Sequence, residues 1–377
     1  MKILGIETSC DETALSLIEA TGPAERPRFE ILNKALFSQI ELHKEYGGVY
    51  PSLAKREHSK NLIPLLNKLF KNSDSGKFND EQIAKLEEIL SREPELLELF
   101  LKYIPTIKRP DIDMIAVTYG PGLEPALWVG INFARALSYI WQIPVMPVNH
   151  MEGHIVSVLK DGDVEIEFPL ISLLISGGHT ELVLVRDWGN YKVIGSTLDD
   201  AVGEAFDKVA RLMNLEYPGG PKISKMAAEA REQKLENEKI SLPRPMLNSG
   251  DYKFSFSGIK TAVLYLIQKL QAEEKLDEET KKVVSLEFEN AVTEILLKKT
   301  KDAIEEFSAR CLIIGGGVIA NKHIRQTFSN LEVNVYVPEF EMATDNAVMI
   351  AMAGYLKSLR SNPKIFPSIE AEGNLKL

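Results

Sequence analysis

The sequence predicts an α/β protein made of two related halves. A chain of 377 residues is too long for one small core. In each half, an apolar strand, a short loop of small or polar residues and a second apolar strand follow one another, with the loops at 7–13 and 176–180. This recurrence indicates a duplicated fold. The flanking strands are 2–6 and 14–18 in the first half and 169–175 and 182–185 in the second.

Helices and further strands are predicted around these two hairpins. Apolar residues at helical spacing predict a helix over 53–70. Residues 71–109 begin with a polar stretch and continue as amphipathic helices, which indicates an inserted helical hairpin. Buried strands are predicted at 111–119 and 310–314, each followed by a glycine-rich turn and a helix, and a final apolar helix spans 346–359.

These elements predict two domains. The first comprises residues 1–148 and carries the helical insertion at about 71–109, and the second comprises 149–345. Residues 346–377 are expected to pack back on the first domain.

Composition and charge restrict the class of protein. No apolar run approaches the ~20 residues of a membrane span, and the N-terminus lacks a secretory signal. The two cysteines, Cys10 and Cys311, are too few for a disulfide framework, which favours a reducing cytoplasm. With 44 basic and 54 acidic side chains, the net charge of −10 makes the chain a poor binder of nucleic acid by itself. An RNA substrate would therefore need a partner or a local basic patch.

Glycine-rich loops recur where an anion could bind. The loops at 176–178, 219–220 and 315–317, with the hydroxyl-rich loop 7–13 as a further candidate, allow backbone N–H groups to converge on an anion. For any one of them, a tight turn without a ligand is the alternative. The loop at 315–317, together with Ala320, also fits a dinucleotide-binding turn, but no run of βαβ units follows it.

A histidine pair is a candidate metal site. His150 and His154 lie four positions apart and so share one face of a helix that Asn149 could cap. Two partly buried histidines bonded to the backbone are the alternative. A zinc protease places its glutamate directly after the first histidine, whereas Glu152 lies roughly 200° around the helix from His150, which disfavours a protease. Asp345, before the final helix, is either an N-cap or a third metal ligand.

Carboxylates are concentrated between positions 199 and 207. Asp200, Glu204 and Asp207 share one face at helical spacing, and Asp199 precedes them. This face is either a solvated acidic surface or a set of acceptors for the hydroxyl groups of a ribose or another substrate.

Many short motifs occur together in a fixed order: LGIETSCDET, YGGVYPSLAKREH, TYGPGL, NHMEGH, LISGGHTEL, DDAVGEAFDKVARL, YPGGP, FSFSGIKT, GGGVIAN and ATDNAVMIA. They resemble the TsaD family, also called Gcp or YgjD, and cover nearly the whole chain outside 71–109. Leu174, where the archaeal type has tyrosine, indicates the bacterial type. The resemblance implies the two-lobed α/β fold of actin, hexokinase and the heat-shock chaperone ATPases.

The resemblance also implies an activity. Family members are acyltransferases that move the threonylcarbamoyl group from threonylcarbamoyl-AMP to N6 of the adenosine 3′ of the anticodon, in tRNAs that read codons beginning with A. The alternative is a nucleotide-binding metalloprotein of the same fold with a non-catalytic assembly or chaperone-like role.

A set of site residues follows from the resemblance. One divalent metal ion per chain, usually iron in the family although zinc also suits the ligands, would be bound by His150, His154 and Asp345. No general base is implied, and Asp11 and Glu12 in the first loop are the candidates. Backbone amides of the loop at 176–178 would face substrate phosphate or developing negative charge. The implied substrate and nucleotide contacts are Leu174, Ile175, Ser176, Gly177, Gly178, Asp207, Gly220 and Asn321.

Partners are implied in the same way. Bacterial relatives act on tRNA together with a TsaB-like paralogue, which forms a heterodimer through the N-terminal lobe, and with a TsaE-like ATPase; no membrane is involved. The helix at 53–70 has an apolar face that either docks such a partner or packs inside the lobe. That face consists of Leu62, Leu65, Leu66 and Leu69.

Overall fold

The computed structural model describes residues 1–70, 76–161, 164–235 and 240–377. They form two compact units, Met1–Glu165 with Asp345–Leu377, and Ile166–Thr344. The strands are β1 Lys2–Glu7, β2 Glu12–Thr21, β3 Arg28–Ser38, β4 Met114–Gly120, β5 Pro144–Asn149, β6 Leu170–Ile175, β7 Thr180–Asp187, β8 Asn190–Ser196, β9 Cys311–Gly315, β10 Asn334–Tyr336 and β11 Lys364–Ile365. The helices are α1 Ile40–His43, α2 Pro51–Leu69, α3 Asp80–Ile89, α4 Pro94–Tyr103, α5 Glu124–Trp141, α6 His150–Val156, α7 Val202–Leu212, α8 Gly219–Glu232, α9 Ser257–Ala272, α10 Glu278–Glu306, α11 Lys322–Ser329, α12 Phe340–Ala343 and α13 Ala347–Ser358.

The first unit is built on a six-stranded mixed sheet in the order β11-β5-β4-β1-β2-β3. β1 and β2 form the antiparallel hairpin predicted at the start of the chain, with Ile6 opposite Leu15. β1, β4 and β5 are parallel neighbours. Because parallel strands end at the same edge, the residues that follow them are brought together there. Glu7, Gly120 and Asn149 are the last residues of these three strands.

The segment around the predicted domain boundary belongs to the first unit. The sequence-based boundary lay at 148/149, whereas contacts divide the chain at 165/166 and again at 344/345. Helix α6 packs on β5 and on α13, and this keeps it with the first unit. Helix α13 is buried along its length and packs on β1, β2, β4 and β5, so residues 345–377 belong to the first unit as well.

The predicted insertion forms a helical hairpin, α3 and α4, that packs on α2 and α5. Residues 71–75 of the insertion lie outside the described part of the chain. Helix α3 begins with a reciprocal capping box, in which Asn79 Oδ1 accepts from Gln82 N at 2.8 Å and Gln82 Oε1 accepts from Asn79 N at 3.0 Å. Leu86, Leu96 and Phe100 place the hairpin in the apolar core of the unit.

The apolar face of α2 packs inside the first unit. Its four leucine side chains are at most 9% exposed, so of the two possibilities, packing inside the lobe or docking a partner, the structure shows the first. This face is therefore not a docking surface for another chain. The residues are Leu62, Leu65, Leu66 and Leu69.

The second unit is built on a five-stranded mixed sheet in the order β10-β9-β6-β7-β8. It begins with the second predicted hairpin, β6 and β7, where Ile175 lies opposite Thr180, and β9 joins β6 in parallel. Helices α7, α8, α9 and α10 supply the core beside the sheet. Phe206 and Phe288 meet edge to face there, with ring centroids 4.9 Å apart.

Among the described residues, no helix combines the length and apolar character that crossing a membrane requires.

Candidate metal centre and nucleotide pocket

Helix α6 begins immediately after β5, and Asn149 marks its start. The Oδ1 atom of Asn149 accepts from Met151 N at 2.8 Å and from Glu152 N at 3.4 Å, as an N-cap does. The helical spacing then places His150 and His154 side by side, with ring centroids 4.7 Å apart. Both histidines are buried.

Asp345 reaches the histidine pair from the start of α13. Asn346 is the N-cap of this helix, since its side chain accepts from Met349 N at 3.0 Å. Asp345 is therefore not the capping residue. The start of α13 lies against β1 at Gly5, where a Cβ would be 2.2 Å from the carbonyl oxygen of Ala347, so the close approach requires glycine.

The donor atoms of His150, His154 and Asp345 lie within 4.8 Å of one another. Asp345 Oδ1 is 3.4 Å from His150 Nε2 and 3.2 Å from His154 Nε2. Donors at about 2.1 Å from a tetrahedral ion stand roughly 3.4 Å apart, so this spacing suits a metal ion. Neither ring nitrogen of His154 makes a hydrogen bond within the described residues, although both are buried. A bound cation would satisfy Nε2.

Glu7 holds His150 from the opposite side. Its Oε2 atom accepts from His150 Nδ1 at 2.9 Å and from the hydroxyl of Thr118 at 2.7 Å, and its Oε1 accepts from Ser9 N at 2.5 Å. Ser9 Oγ is also 3.2 Å from His150 Nδ1. A carboxylate on one ring nitrogen fixes the ring and leaves the other nitrogen for a metal. The signal that would have identified Glu7 is a carboxylate at the last position of an apolar parallel strand.

Burial of the two histidines and the charges of neighbouring carboxylates together determine the pKa values of the group. Burial works against a charge on His150, but the carboxylates of Asp345 and Glu7 outweigh it and raise the pKa of His150 well above its usual value. Burial likewise works against a charge on Asp345, but the two histidines hold the pKa of Asp345 far below its usual range. For His154, burial is the largest effect and lowers the pKa.

Of the two candidate bases, Asp11 lies in the loop between β1 and β2, and Glu12 is the first residue of β2. Burial, followed by the charges of Asp11 and Asp345, raises the pKa of Glu12 to about 10. The hydroxyl of Ser38 donates to Glu12 Oε1 at 3.2 Å. A carboxyl with this pKa holds its proton at neutral pH, so Glu12 is poorly suited to accept one.

A cavity of 860 Å³ lies in the second unit. Its wall is formed by the glycine loops and by helices α7, α8, α10 and α11. It contains several of the residues implied as nucleotide contacts: Gly177, Asp207, Gly220 and Asn321. Leu174 and Ile175, by contrast, are fully buried strand residues whose side chains do not line the cavity.

The loop at 176–178 is partly closed on itself. Ser176 N donates to His179 O at 2.9 Å, and Ser176 Oγ accepts from Gly178 N at 3.3 Å and from His179 N at 3.0 Å. The expectation that all three amides face a substrate therefore does not hold in this conformation. Of the three, the N–H of Gly177 alone has no hydrogen-bond partner among the described residues.

Asp207 lines the cavity and also anchors a turn. Its Oδ1 accepts from Gly219 N at 2.7 Å, where α8 begins. A Cβ at Gly219 would lie 2.4 Å from the Cβ of Ala210, so α7 and α8 meet closely only because position 219 is glycine. Gly220, the next residue, is thereby held at the wall of the cavity.

The other carboxylates of the acidic segment have structural partners. Asp199 accepts from the hydroxyls of Ser255 and Ser257, both at 2.6 Å, and thus fixes the start of α9. Asp200 is paired with Lys208 at 2.6 Å and Lys260 at 3.2 Å. Asp199 and Asp200 therefore hold neighbouring segments of the unit, a role that neither of the two sequence-based interpretations included.

The fold and the site together define a class of protein. Two α/β units, each opening with a hairpin, resemble the solved structure of full-length HypF in its phosphate- and nucleotide-bound form, with a TM-score of 0.54 over 96% of this chain and 56% of HypF. Identity is 12%, so the likeness establishes an actin-like ATPase fold and no more.

The family is established by sequence. The model of the TsaD family, tRNA N6-adenosine threonylcarbamoyltransferase, matches residues 30–84 and 95–352, and the chain belongs to this family. The match continues through much of the segment 71–109, which was expected to lie outside the family pattern, and leaves out only 85–94 within it.

Relatives that bear the name tRNA N6-adenosine threonylcarbamoyltransferase match over almost their full length. The protein of Persephonella marina is 39% identical over 100% of this chain and 96% of its own length. That of Nitrosomonas europaea is 40% identical over 95% and 93%, and that of Thermosipho africanus is 40% identical over 100% of both.

Proposed function

We propose that this protein transfers the threonylcarbamoyl group from threonylcarbamoyl-AMP to N6 of the adenosine 3′ of the anticodon, in tRNAs that read codons beginning with A. The observation that carries the proposal is the full-length match, at about 40% identity, to enzymes named for this transfer. The buried histidine pair with the partly buried Asp345, and the cavity in the second unit, support the proposal, because an acyl transfer from an adenylate would use a metal ion and a nucleotide pocket.

A single divalent ion, iron or zinc, would be held by His150, His154 and Asp345. When bound, it would supply Lewis-acid polarisation of a carbonyl group and orient the threonylcarbamoyl group. The protein itself would hold the metal ligands in fixed positions. Glu7 fixes the ring of His150, and the close packing of α13 on β1 fixes the position of Asp345.

The adenosine part of the donor would occupy the cavity in the second unit. Its volume of 860 Å³ lies within the range of small-molecule sites, about 300–1,000 Å³. Asp207 would accept from a ribose hydroxyl, and Gly220 and Asn321 would contact the base. The N–H of Gly177, which has no partner among the described residues, is the loop amide best suited to meet negative charge.

In the reaction, N6 of the tRNA adenosine attacks the carbamoyl carbon. The new C–N bond forms as the bond to the phosphate oxygen breaks, AMP leaves with that electron pair, and N6 loses one proton. Because AMP is a good leaving group, positioning would supply much of the catalysis. Asp11 is the proposed acceptor of the proton.

The proposed partners are a TsaB-like paralogue, a TsaE-like ATPase and tRNA. The net charge of −10 opposes unaided binding of a polyanion. Since the apolar face of α2 is buried, the proposed pairing surface, termed the exposed apolar surface beside β3, consists of exposed apolar residues on β3 and in the segment that follows it. It comprises Leu32, Leu36, Leu42, Tyr46 and Tyr50, which are 40–58% exposed, and the two tyrosine rings are stacked.

The test is reconstitution with unmodified tRNA, an enzyme that forms the adenylate and the two partner proteins, followed by nucleoside analysis. Threonylcarbamoyl-adenosine should accumulate over many turnovers, and the double variant His150→Ala, His154→Ala should form none. Binding of AMP without any modified nucleoside, with all components present, would instead indicate the non-catalytic assembly or chaperone-like role.

A further inference from the structure

A buried polar cluster lies in the wall of the cavity in the second unit. Glu289, on α10, is fully buried and yet borders the cavity. Its two carboxylate oxygens have different partners. Oε1 accepts from Asn321 Nδ2 at 2.5 Å, and Oε2 accepts from Arg231 Nη1 at 2.5 Å. Arg231 also donates from Nη2 to Asn290 Oδ1 at 2.7 Å, so the guanidinium is held from two sides.

The amide of Asn321 can adopt only one orientation in this cluster. Its Oδ1 accepts from Ile324 N at 3.0 Å and caps α11, while its Nδ2 donates to Glu289. Turning the amide over would place an NH₂ group against the N–H of Ile324 and a carbonyl oxygen against a carboxylate. Both contacts would then be repulsive, and both hydrogen bonds would be lost.

The fixed orientation determines what Asn321 can offer to a ligand. Its Oδ1 is engaged by the start of α11, and one N–H of Nδ2 is engaged by Glu289. The second N–H of Nδ2 has no hydrogen-bond partner among the described residues, and Asn321 lines the cavity. Toward the cavity, Asn321 is therefore a hydrogen-bond donor.

We infer that Glu289 is a positioning residue that fixes Asn321 as a donor and thereby selects a purine with an unprotonated ring nitrogen at the facing position. The inference rests on the proposed function, since it assigns the base of the adenylate to this cavity. Adenine presents such acceptors at N1, N3 and N7. Arg231 neutralises the carboxylate, so that the buried charge of Glu289 can be retained without a ligand.

The experiment measures the dissociation constants of AMP and of its 1-deaza, 3-deaza and 7-deaza analogues, each of which replaces one ring nitrogen with CH. For the unaltered protein, one analogue should bind about tenfold more weakly than AMP, the effect of one lost hydrogen bond. In Glu289→Leu, AMP should weaken by about the same factor, and the difference between AMP and that analogue should disappear. Glu289→Gln keeps an acceptor for Asn321 and should retain most of the discrimination.

Glu287 provides a matched control on the same helix. Its Oε1 accepts from Arg244 Nη1 at 2.5 Å and from Leu242 N at 2.9 Å, and it does not line the cavity. Glu287→Gln should leave all the dissociation constants unchanged. If Glu289→Leu does not fold, Glu289→Ala takes its place, because the smaller side chain admits water.

The outcomes separate the inference from the proposed function. Discrimination that persists in Glu289→Leu, or an unaltered protein that binds all three analogues as well as AMP, overturns the positioning role while leaving the transfer reaction intact. An unaltered protein that binds no adenine nucleotide overturns both.

Discussion

The side chain of Glu7 connects three separate segments of the first unit at the candidate metal centre. Its oxygens accept from His150, Thr118 and Ser9, which lie on α6, on β4 and in the first loop. The histidine spacing could be predicted from the sequence, because it depends on one turn of helix. The role of Glu7 could not, because it depends on the register of β1, β4 and β5 across more than a hundred positions.

Removing the charge of Glu7 should weaken metal binding without removing a ligand. Glu7→Gln is expected to lower metal affinity by about 10–100-fold, since His150 loses the carboxylate that orients its ring. Titration against a competing chelator measures the change. Glu30→Gln, at an exposed position of β3, is the control. An affinity within twofold of the unaltered protein in Glu7→Gln would contradict the orienting role.

The histidine pair itself should be indispensable to the metal. His150→Ala with His154→Ala is expected to abolish bound metal, because one carboxylate alone cannot hold a transition-metal ion tightly. Elemental analysis of purified protein measures the content. His323→Asn, a histidine change in the second unit, should leave the metal content unchanged. Equal metal in the double variant and the unaltered protein would place the ion elsewhere.

Asp207 has two roles, and different substitutions can separate them. Asp207→Ala removes both the proposed ribose acceptor and the anchor of Gly219, and should weaken AMP binding by about 1–3 kcal/mol. Asp207→Asn keeps an oxygen for Gly219 N, so the melting temperature should stay near that of the unaltered protein while AMP binding is weakened. Calorimetric titration gives the affinity. Full affinity in Asp207→Asn would limit Asp207 to holding the turn.

At the scale of elements, α2 is tied to the first loop through a buried histidine. His58 Nε2 is 3.0 Å from the carbonyl oxygen of Cys10 and therefore donates to it. Its Nδ1 then accepts from the hydroxyl of Thr13 at 2.7 Å. This tautomer requires a neutral ring. His58 therefore connects α2 to the loop that carries Ser9 and Asp11.

The neutral state of His58 has a consequence for stability. Burial lowers the pKa of His58 to about 4, below its ordinary value of 6.5. The unfolded chain therefore binds a proton between these values when the folded protein does not, so stability is fully present above pH 6.5 and is lost as the pH falls to about 4. The loss amounts to about 3 kcal/mol.

Denaturant unfolding at a series of pH values measures this loss. His58→Gln is expected to be less stable at pH 7.5 but to lose less stability on acidification, since glutamine does not titrate. The difference between the two proteins should shrink as the pH falls from 6.5 to 4. A difference that stays constant across this range would show that His58 does not resist protonation.

The elements also show where a sequence pattern is ambiguous. An apolar stripe such as that of Leu62 and Leu66 on α2 looks the same whether it packs internally or against a partner. In the structure these leucines are buried, and α2 packs on β2, β3, α4 and α5. The loop at 176–178 is ambiguous for a local reason. The hydroxyl oxygen of Ser176 accepts hydrogen bonds from the backbone N–H groups of Gly178 and His179. The N–H of Gly178 was expected to face an anion instead.

At the scale of the whole molecule, Asp345 lies almost two hundred positions after the histidine pair. Residue spacing alone does not show that they belong to one site, whereas the family resemblance does. The partners of Asn321 could not be predicted, because Glu289 lies on α10 and Arg231 on α8, each with an ordinary helical pattern. Family motifs identify residues that contact a ligand. They identify less readily the residues that hold those contacts in place.

The exposed apolar surface beside β3 should determine dependence on a partner. The protein alone is expected to modify tRNA poorly at physiological salt, and addition of the paralogue should restore turnover. Leu36→Lys with Tyr46→Ser should weaken the complex with the paralogue by at least tenfold, because a charge and a polar group would enter a dry interface. Affinity by light scattering or calorimetry measures this.

Tyr265 is the matched control for this surface. It is an exposed aromatic residue, 66% accessible, on α9 of the second unit. Tyr265→Ser should leave the affinity for the paralogue unchanged. Full multiple-turnover activity without any partner would show that the dependence is wrong.

The first unit is discontinuous in the chain, and this affects how the protein is made. The ribosome completes Ile166–Thr344 before Asp345 and α13 are synthesised, so the second unit can fold while the first still lacks a helix that covers its sheet. Until then, a nascent chain has both histidines but not the carboxylate beside them, and the apolar face of β1 and β2 stays uncovered. An ion that needs all three of these ligands would therefore be bound only late in biosynthesis.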